Sequence, residues 1–320
     1  MTHGEMFWLD ELKQSLRAQL DSNTLSHAVL FAGAPGLGKR QLAAWLVQQF
    51  LGSAAARSLQ QMDEQLADFR HLTIAADKKQ ISVEQVRALS AALALSSHSG
   101  TGKAAVIEPA DAMTVASANS LLKTLEEPSG DALLVLVADD VSRLPATVVS
   151  RVSAYTLRTP AMSLSEQWLT VQGNETAAAD RALRYAYGAP LKAQALLDSG
   201  VLDALDSIAG DLERVMSGTE GALAVANRWK KLDFGLVLDV LQHVTQSVIY
   251  QTHASEMRIE SGFDRYVIDT RDAFCYLDTV QRAASRGTVA INSDMALDAL
   301  ALPWANKLQG CFDGRATRDY

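Results

Sequence analysis

Hydrophobic positions along the first 158 residues follow two alternating patterns. Short continuous apolar runs predict buried strands, and they lie at residues 27–32, 103–107 and 133–138. Between these runs, apolar residues recur every three or four positions, which is the spacing of one buried face of a helix. Ser82 followed by Gln85 has the sequence of a capping box and predicts a helix that extends to about Leu95. Because buried strands alternate with helices, we expect an α/β fold with a parallel sheet that is covered by helices on both faces.

Strand-like patterns stop after about residue 158. Thr159-Pro160 interrupts the pattern, and Ser163 with Glu166 is a further candidate capping box. Helical spacing fills the remainder, with a turn at residues 188–190 and amphipathic segments at residues 234–250, 266–280 and 294–308. We therefore predict three domains: an α/β domain at 1–158, a small helical domain at 159–206 and an all-α domain at 207–320.

Composition excludes several classes of protein. Apolar residues make up 48% of the 320 residues, and 29 Lys and Arg stand against 37 Asp and Glu, for a net charge of −8. The apolar run at 133–138 is far shorter than the roughly 20 residues of a membrane span, and the first residues lack the pattern of a secretory signal. We expect a cytoplasmic protein with no membrane association. Its acidic balance disfavours a protein that grips nucleic acid alone, because phosphate neutralisation needs clustered Lys and Arg.

A phosphate-loop pattern lies between the first predicted strand and the next helix. Residues 33–40 read Gly-Ala-Pro-Gly-Leu-Gly-Lys-Arg, so that Gly33, Gly36 and Gly38 would turn backbone N–H groups toward phosphate oxygens, and Lys39 would reach the β- and γ-phosphates. A glycine turn that binds no ligand is the alternative. The strand before the pattern and the helix after it favour descent from a phosphate-loop fold.

The same site lacks two parts of a working ATPase. Position 40 normally carries the Ser or Thr hydroxyl that holds Mg²⁺, and here it carries Arg40. The second predicted strand ends in Glu108-Pro109, and Pro109 stands where a catalytic acidic residue is needed. We predict that hydrolysis is lost. Retention of ATP without hydrolysis and loss of ATP binding are both compatible with these residues, and no metal ligand is predicted.

Two longer motifs indicate a family. The run Asn119-Ser-Leu-Leu-Lys-Thr-Leu-Glu-Glu-Pro128, with Leu144-Pro-Ala-Thr-Val-Val-Ser-Arg151, resembles the clamp-loader ATPases, and within them the delta prime subunits of bacterial DNA polymerase III. The resemblance is strongest over residues 7–158. It implies an AAA+-like phosphate-loop domain that is followed by a helical lid and an all-α collar for oligomerisation. The leucines of the first motif are predicted to be in the core, and Glu126 and Glu127 to be solvated.

The resemblance also implies a role for Arg151. In this family five subunits form a broken ring that opens a sliding clamp and places it on primed DNA, with ATP held between neighbours. Ser150-Arg151 matches the arginine-finger motif Ser-Arg-Cys, with Val152 in place of the cysteine. A guanidinium presented across an interface stabilises charge that develops on the γ-phosphate. The alternative is an arginine in a surface or intramolecular salt bridge, which is the common fate of a lone arginine.

Other departures from the family's motor subunits agree with a lost ATPase. Asp139 follows the third predicted strand where motors carry a polar sensor residue, and Leu191 lies near the position of the lid arginine. The neighbouring Lys192 is predicted to be a solvated helix residue. Many relatives hold zinc between clustered cysteines, but residues 51–71 contain none, so zinc is not predicted.

The function that this resemblance implies is that of a non-catalytic, delta prime-like subunit, a component of the DNA polymerase III holoenzyme. It would supply Arg151 in trans to a neighbouring ATPase, assemble with the gamma/tau motor and delta subunits, and reach the sliding clamp and primed DNA through the complex. The alternative is an ATP-hydrolysing motor, gamma/tau-like, or another P-loop ATPase, which would rest on Gly33, Gly38 and Lys39 alone. A sequence-reading DNA-binding protein is disfavoured, because Trp229 continues an apolar helical stripe and is predicted to lie in a core or interface.

Overall fold

A computed structural model describes residues 6–53, 58–76, 78–98, 100–127, 130–253, 266–286 and 292–311. The chain divides into two compact units. The first comprises residues 1–176 with 188–193, and the second comprises residues 177–187 with 194–320. The predicted three-domain division, with boundaries at 158 and 206, stays a prediction.

The first unit alternates helices and strands. In chain order they are α1 (Asp10–Asp21), β1 (Ala28–Ala32), α2 (Lys39–Leu51), α3 (Leu59–Gln65), β2 (Phe69–Leu72), α4 (Val83–Leu93), β3 (Lys103–Ile107), α5 (Val115–Glu126), β4 (Ala132–Ala138), α6 (Ala146–Val149), β5 (Ser153–Thr156) and α7 (Met162–Val171). The described residues that follow form α8 (Thr176–Tyr185), α9 (Pro190–Ser199), α10 (Leu202–Met216), α11 (Ala222–Trp229), α12 (Phe234–His253), α13 (Thr270–Arg286) and α14 (Ser293–Ala305).

The five strands form one parallel sheet in the order β2-β3-β4-β1-β5. Every residue of the interior strand β1 is buried. Its residues alternate between two cores: Val29 and Phe31 join the core on one face, while Leu30 joins the core on the other. A strand that is buried on both faces has no polar alternation, which is why it reads as a continuous apolar run. The predicted α/β class, with helices on both faces, is confirmed.

Of the two capping boxes predicted in the first unit, one is present and one is not. The Ser82 capping box is present: its hydroxyl accepts the Gln85 N–H at 3.4 Å, and its own N–H donates to Gln85 Oε1 at 3.1 Å. The capping box predicted at Ser163 is wrong, because α7 begins at Met162 and has Ala161 as its N-cap. Ser163 therefore lies inside the first turn and not before it.

The regular elements among the described residues of the second unit are all helices. Its α12 packs against α13, and α11 packs against α14. Trp229 is fully buried, as predicted, and its indole N–H donates to Asp211 Oδ2 at 2.9 Å. Arg214 and Arg228 pair with Asp211 and with Glu220, and the Arg228 hydrogen bond lowers the pKa of Glu220 to about 2. The basic residue beside this tryptophan thus serves an internal ion-pair network.

No helix among the described residues combines the length and the apolar character that crossing a bilayer requires.

Candidate functional site

The phosphate loop connects the end of β1 to the start of α2. Gly33, Gly36 and Gly38 all have positive φ angles, of 138°, 83° and 93°. A Cβ atom on Gly33 would lie 2.4 Å from the carbonyl oxygen of Leu157, which leaves no room for any other residue. The predicted loop therefore has the backbone that the glycine pattern requires.

Lys39 is the best-satisfied side chain of this loop. Its Nζ donates to the carbonyl oxygens of Gly33 at 2.6 Å and Ala34 at 2.7 Å, and it lies 2.7 Å from Asp139 Oδ1. The side chain is only 5% exposed. Asp139 reaches it because β4 pairs directly with β1, so the residue that follows β4 lies beside the loop that follows β1. The lysine charge is thus met by a carboxylate of the same chain.

Arg40 makes a second ion pair at the same edge of the sheet. Its Nε donates to Glu108 Oε2 at 2.7 Å, and His71 Nε2 lies 3.4 Å from the same oxygen. Burial by itself would raise the pKa of Glu108, but the contacts with His71 and Arg40 outweigh it and hold that pKa below its ordinary value. The carboxylate at the end of β3 is therefore ionised and paired with an arginine.

These two pairs line a cavity of about 390 Å³ together with Leu191 and Lys192. The Leu191 N–H donates to the Gly36 carbonyl at 3.1 Å, and a Cβ atom on Gly36 would lie 2.7 Å from Lys192 Cβ. The prediction that Lys192 is a solvated helix residue is wrong. It is half-buried in this cavity, and burial lowers its pKa. Lys192 lies in the first turn of α9, and this turn places it beside the phosphate loop. Its offset by one residue from the expected lid arginine had suggested a position in solvent.

The residues of this cavity fit magnesium-dependent ATP hydrolysis poorly. To hold the metal, a phosphate-loop ATPase uses a hydroxyl at the position of Arg40 and a free acidic side chain at the end of the strand that corresponds to β3. Arg40 has no oxygen atom in its side chain that could bind a metal ion, and its guanidinium pairs with Glu108. Asp111 is buried and accepts the Asp139 backbone N–H at 3.4 Å, and Arg143 lies 3.9 Å from it, so it serves the loop after β4.

Ser150 and Arg151 form a separate site. Ser150 is the C-cap of α6, and Arg151 lies two residues before β5. The Arg151 guanidinium pairs with Glu126, with Nε at 2.8 Å and Nη2 at 2.6 Å from Oε1. Its Nη1 donates to the Thr147 carbonyl at 3.0 Å and to Ser150 Oγ at 3.3 Å. Glu126 is exposed, as predicted, but it is also the anionic partner of Arg151. Pro128, at the end of the same motif, lies outside the described residues.

The two groups of predicted site residues lie at opposite edges of the sheet. In a parallel sheet all carboxyl ends meet at one edge, and the phosphate loop follows β1 at that edge. Arg151 precedes β5, and Glu126 precedes β4, so both lie at the amino edge. The five residues of β1 span about 17 Å at roughly 3.3 Å per residue, which keeps Arg151 away from Lys39.

Asp139 and Glu126 are the site residues that the sequence identified least well. Asp139 immediately follows a predicted strand, a position at which functional side chains of parallel sheets often lie. Glu126 is the last residue of α5, one residue before the end of the described part of the family motif. Their lysine and arginine partners depend on strand order, which the sequence did not supply.

Comparisons with known proteins identify the family of this chain. A family model described as DNA polymerase III, delta subunit, matches residues 8–161. The chain is 32% identical to DNA polymerase III subunit delta' of Pseudomonas aeruginosa, over 76% of this chain and 79% of that protein. It is 29% identical to the subunit delta' of Haemophilus influenzae, over 61% of this chain and 62% of that one.

A solved structure gives the same fold. A DNA polymerase III gamma subunit-related protein from Thermotoga maritima superposes with a TM-score of 0.50 at 17% identity, over 92% of this chain and 99% of that one. At that identity the likeness concerns the fold alone. The chain belongs to the delta' subunit family of DNA polymerase III, the clamp-loader proteins of bacterial DNA replication.

Proposed function

We propose that this chain is a non-hydrolysing subunit of a bacterial clamp loader, which places a sliding clamp on primed DNA. In this proposal it assembles with gamma/tau motor subunits and a delta subunit, and the second unit contributes helices to a shared collar. It requires no cofactor of its own, and it supplies Arg151 in trans to ATP held by a neighbouring motor. Membership of the delta' family supports the choice of partners.

The loss of ATPase activity is supported by the internal pairing of the phosphate loop. The Lys39 ammonium group that would reach phosphate already binds two carbonyl oxygens and Asp139, and Arg40 stands where a metal ligand is needed. Nucleotide phosphates would have to compete with Asp139 and the two carbonyl oxygens for the Lys39 ammonium group. This internal pairing of Lys39 and Arg40 is the observation that carries the non-hydrolysing assignment.

The role of Arg151 in trans is supported by its chemistry and its place. A guanidinium always carries its charge and presents several N–H groups in one plane, which suits the oxygens of a γ-phosphate. Arg151 is exposed at the edge of the sheet that lies opposite its own phosphate loop. An arginine so placed cannot serve its own pocket and is available to another subunit.

A reconstituted complex with motor and delta subunits tests this role. We expect Arg151→Ala to lower ATP turnover that is stimulated by clamp and DNA at least about tenfold, since an arginine finger contributes far more than that at the site it serves. Arg17→Ala is the matched control, because Arg17 is an exposed arginine that also pairs with a carboxylate, Asp21. Undiminished turnover with Arg151→Ala would contradict the finger assignment.

Measurements of ATP hydrolysis and of equilibrium binding of labelled ATP, both on the isolated chain, separate this proposal from the motor alternative. We expect no magnesium-dependent hydrolysis by the isolated chain. Turnover that Lys39→Ala abolishes would favour the motor function instead. Weak binding of ATP without turnover would agree with the proposal, because the glycine loop keeps its backbone conformation.

A further inference from the structure

All three nitrogen atoms of the Arg151 guanidinium have partners in its own chain. Nε and Nη2 converge on the single oxygen Glu126 Oε1, at 2.8 Å and 2.6 Å, and Nη1 reaches the Thr147 carbonyl and the Ser150 hydroxyl. Thr147 and Ser150 belong to the same short segment as Arg151. Glu126 is the one partner among them that comes from a distant element, at the end of α5.

This arrangement favours one orientation of a side chain that would otherwise sample many rotamers. A free arginine loses up to about 2 kcal/mol of rotamer entropy when it is immobilised, so an arginine that must meet a phosphate gains from earlier ordering. The carboxylate binds the Nε–Nη2 side of the guanidinium and the backbone segment binds Nη1. Together they set both the direction and the plane of the group.

The contacts leave the guanidinium able to accept another anion. The four contacts use at most four of the five N–H groups of an arginine. The side chain keeps 36% of its surface exposed, and that of Glu126 keeps 50%. An exposed pair of this kind adds little to folding stability, so its main physical effect is on the position of the guanidinium.

We propose that Glu126 is a positioning residue for Arg151: it holds the guanidinium in the orientation that a neighbouring subunit's γ-phosphate meets on assembly. This inference rests on the proposed role of Arg151 in trans. It gives a function to the acidic end of the family motif at 119–128. Glu126 acts through Arg151 and touches no reacting atom.

The test uses the reconstituted complex and measures kcat and KM for ATP in the presence of clamp and DNA. We expect Glu126→Gln to lower kcat roughly three- to tenfold with KM unchanged, because the amide attracts the guanidinium less and orders it less. Glu126→Asp keeps the charge, and we expect it to recover part of the loss. Glu127→Gln is the matched control, since it makes the same change one residue away and makes no described contact with Arg151.

A double variant separates the two proposals. If Arg151→Ala lowers turnover and Glu126→Gln has no further effect in that background, Glu126 acts through Arg151 and the inference holds. If Arg151→Ala lowers turnover but Glu126→Gln alone leaves it unchanged or raises it, the inference fails and the finger assignment stands. An equal loss from Glu126→Gln in both backgrounds would also overturn the inference. Undiminished turnover with Arg151→Ala would overturn the proposed function itself. Size-exclusion chromatography of each complex controls for assembly.

Discussion

The phosphate loop and the Arg151 segment both pair a cation with a carboxylate, and they differ in burial. Lys39 is 5% exposed and is bound by two carbonyl oxygens as well as Asp139. Arg151 is 36% exposed, whereas the two partner carboxylates, Asp139 and Glu126, are alike at 51% and 50% exposed, so the difference lies in the cations. Water therefore competes for the Arg151 guanidinium but hardly for the Lys39 ammonium group. The comparison teaches that the same kind of ion pair can hold a buried cation in one place and leave a cation available to another molecule in another place.

The largest effect on stability is expected at Lys39 of the phosphate loop. Lys39→Ala removes three polar contacts of a buried ammonium group, and we expect the free energy of unfolding to fall by about 2 kcal/mol. Urea unfolding of the isolated chain measures it, with Lys79→Ala as the control because Lys79 is an exposed lysine of the same unit. A change below about 0.5 kcal/mol would mean that Lys39 is held loosely and that the pocket is open to phosphate.

A smaller and pH-dependent effect is expected at Arg40. Arg40→Thr leaves Glu108 with His71 alone, so the pKa of Glu108 should rise and the free energy of unfolding should fall by about 1 kcal/mol at pH 7. A depressed native pKa gives stability that is present above the unfolded pKa and is lost as the pH falls through the native value. The difference between wild type and variant should therefore shrink below about pH 4.

Urea unfolding at pH 7 and pH 3.5 checks this prediction for Arg40. Arg17→Ala again serves as a control for the loss of an exposed arginine. A difference that grows toward low pH would contradict the assignment of Glu108 as an ionised partner.

The smallest effect on stability is expected at Arg151. Because the Arg151 side chain is itself exposed, like its partner, Arg151→Ala should change the free energy of unfolding of the isolated chain by less than about 0.5 kcal/mol. The same urea measurement decides it. A loss as large as that of Lys39→Ala would erase the contrast between the two sites and would make Arg151 a structural residue.

The sequence predicted the interior strands of the sheet better than its two outermost strands. The runs at 103–107 and 133–138 became β3 and most of β4, because central strands are apolar on both faces. The edge strands β2 and β5 were not predicted. β2 reads Phe-Arg-His-Leu and β5 reads Ser-Ala-Tyr-Thr, and each is too short and too polar to stand out from a loop.

The candidate site was predicted in its parts but not in its pairings. Glycine spacing is a local property of the chain, so the backbone of the phosphate loop could be read from residues 33–38. Asp139 meets Lys39 only because β4 lies beside β1, and Glu126 meets Arg151 only because α5 ends near the start of β5. Such contacts follow from strand order, which local patterns do not contain.

The placement of the phosphate loop and Arg151 at opposite edges of one sheet gives this subunit a direction. Under the proposed function, one edge offers a group to a neighbour, while the other edge holds a pocket whose charged side chains pair with one another. Contacts between such subunits are head to tail, and a row built from them has two unlike ends. A subunit that completes the ATP site of the next subunit, and hydrolyses no ATP that would need an arginine from the subunit before it, belongs at one end of that row, where the ring can stay open.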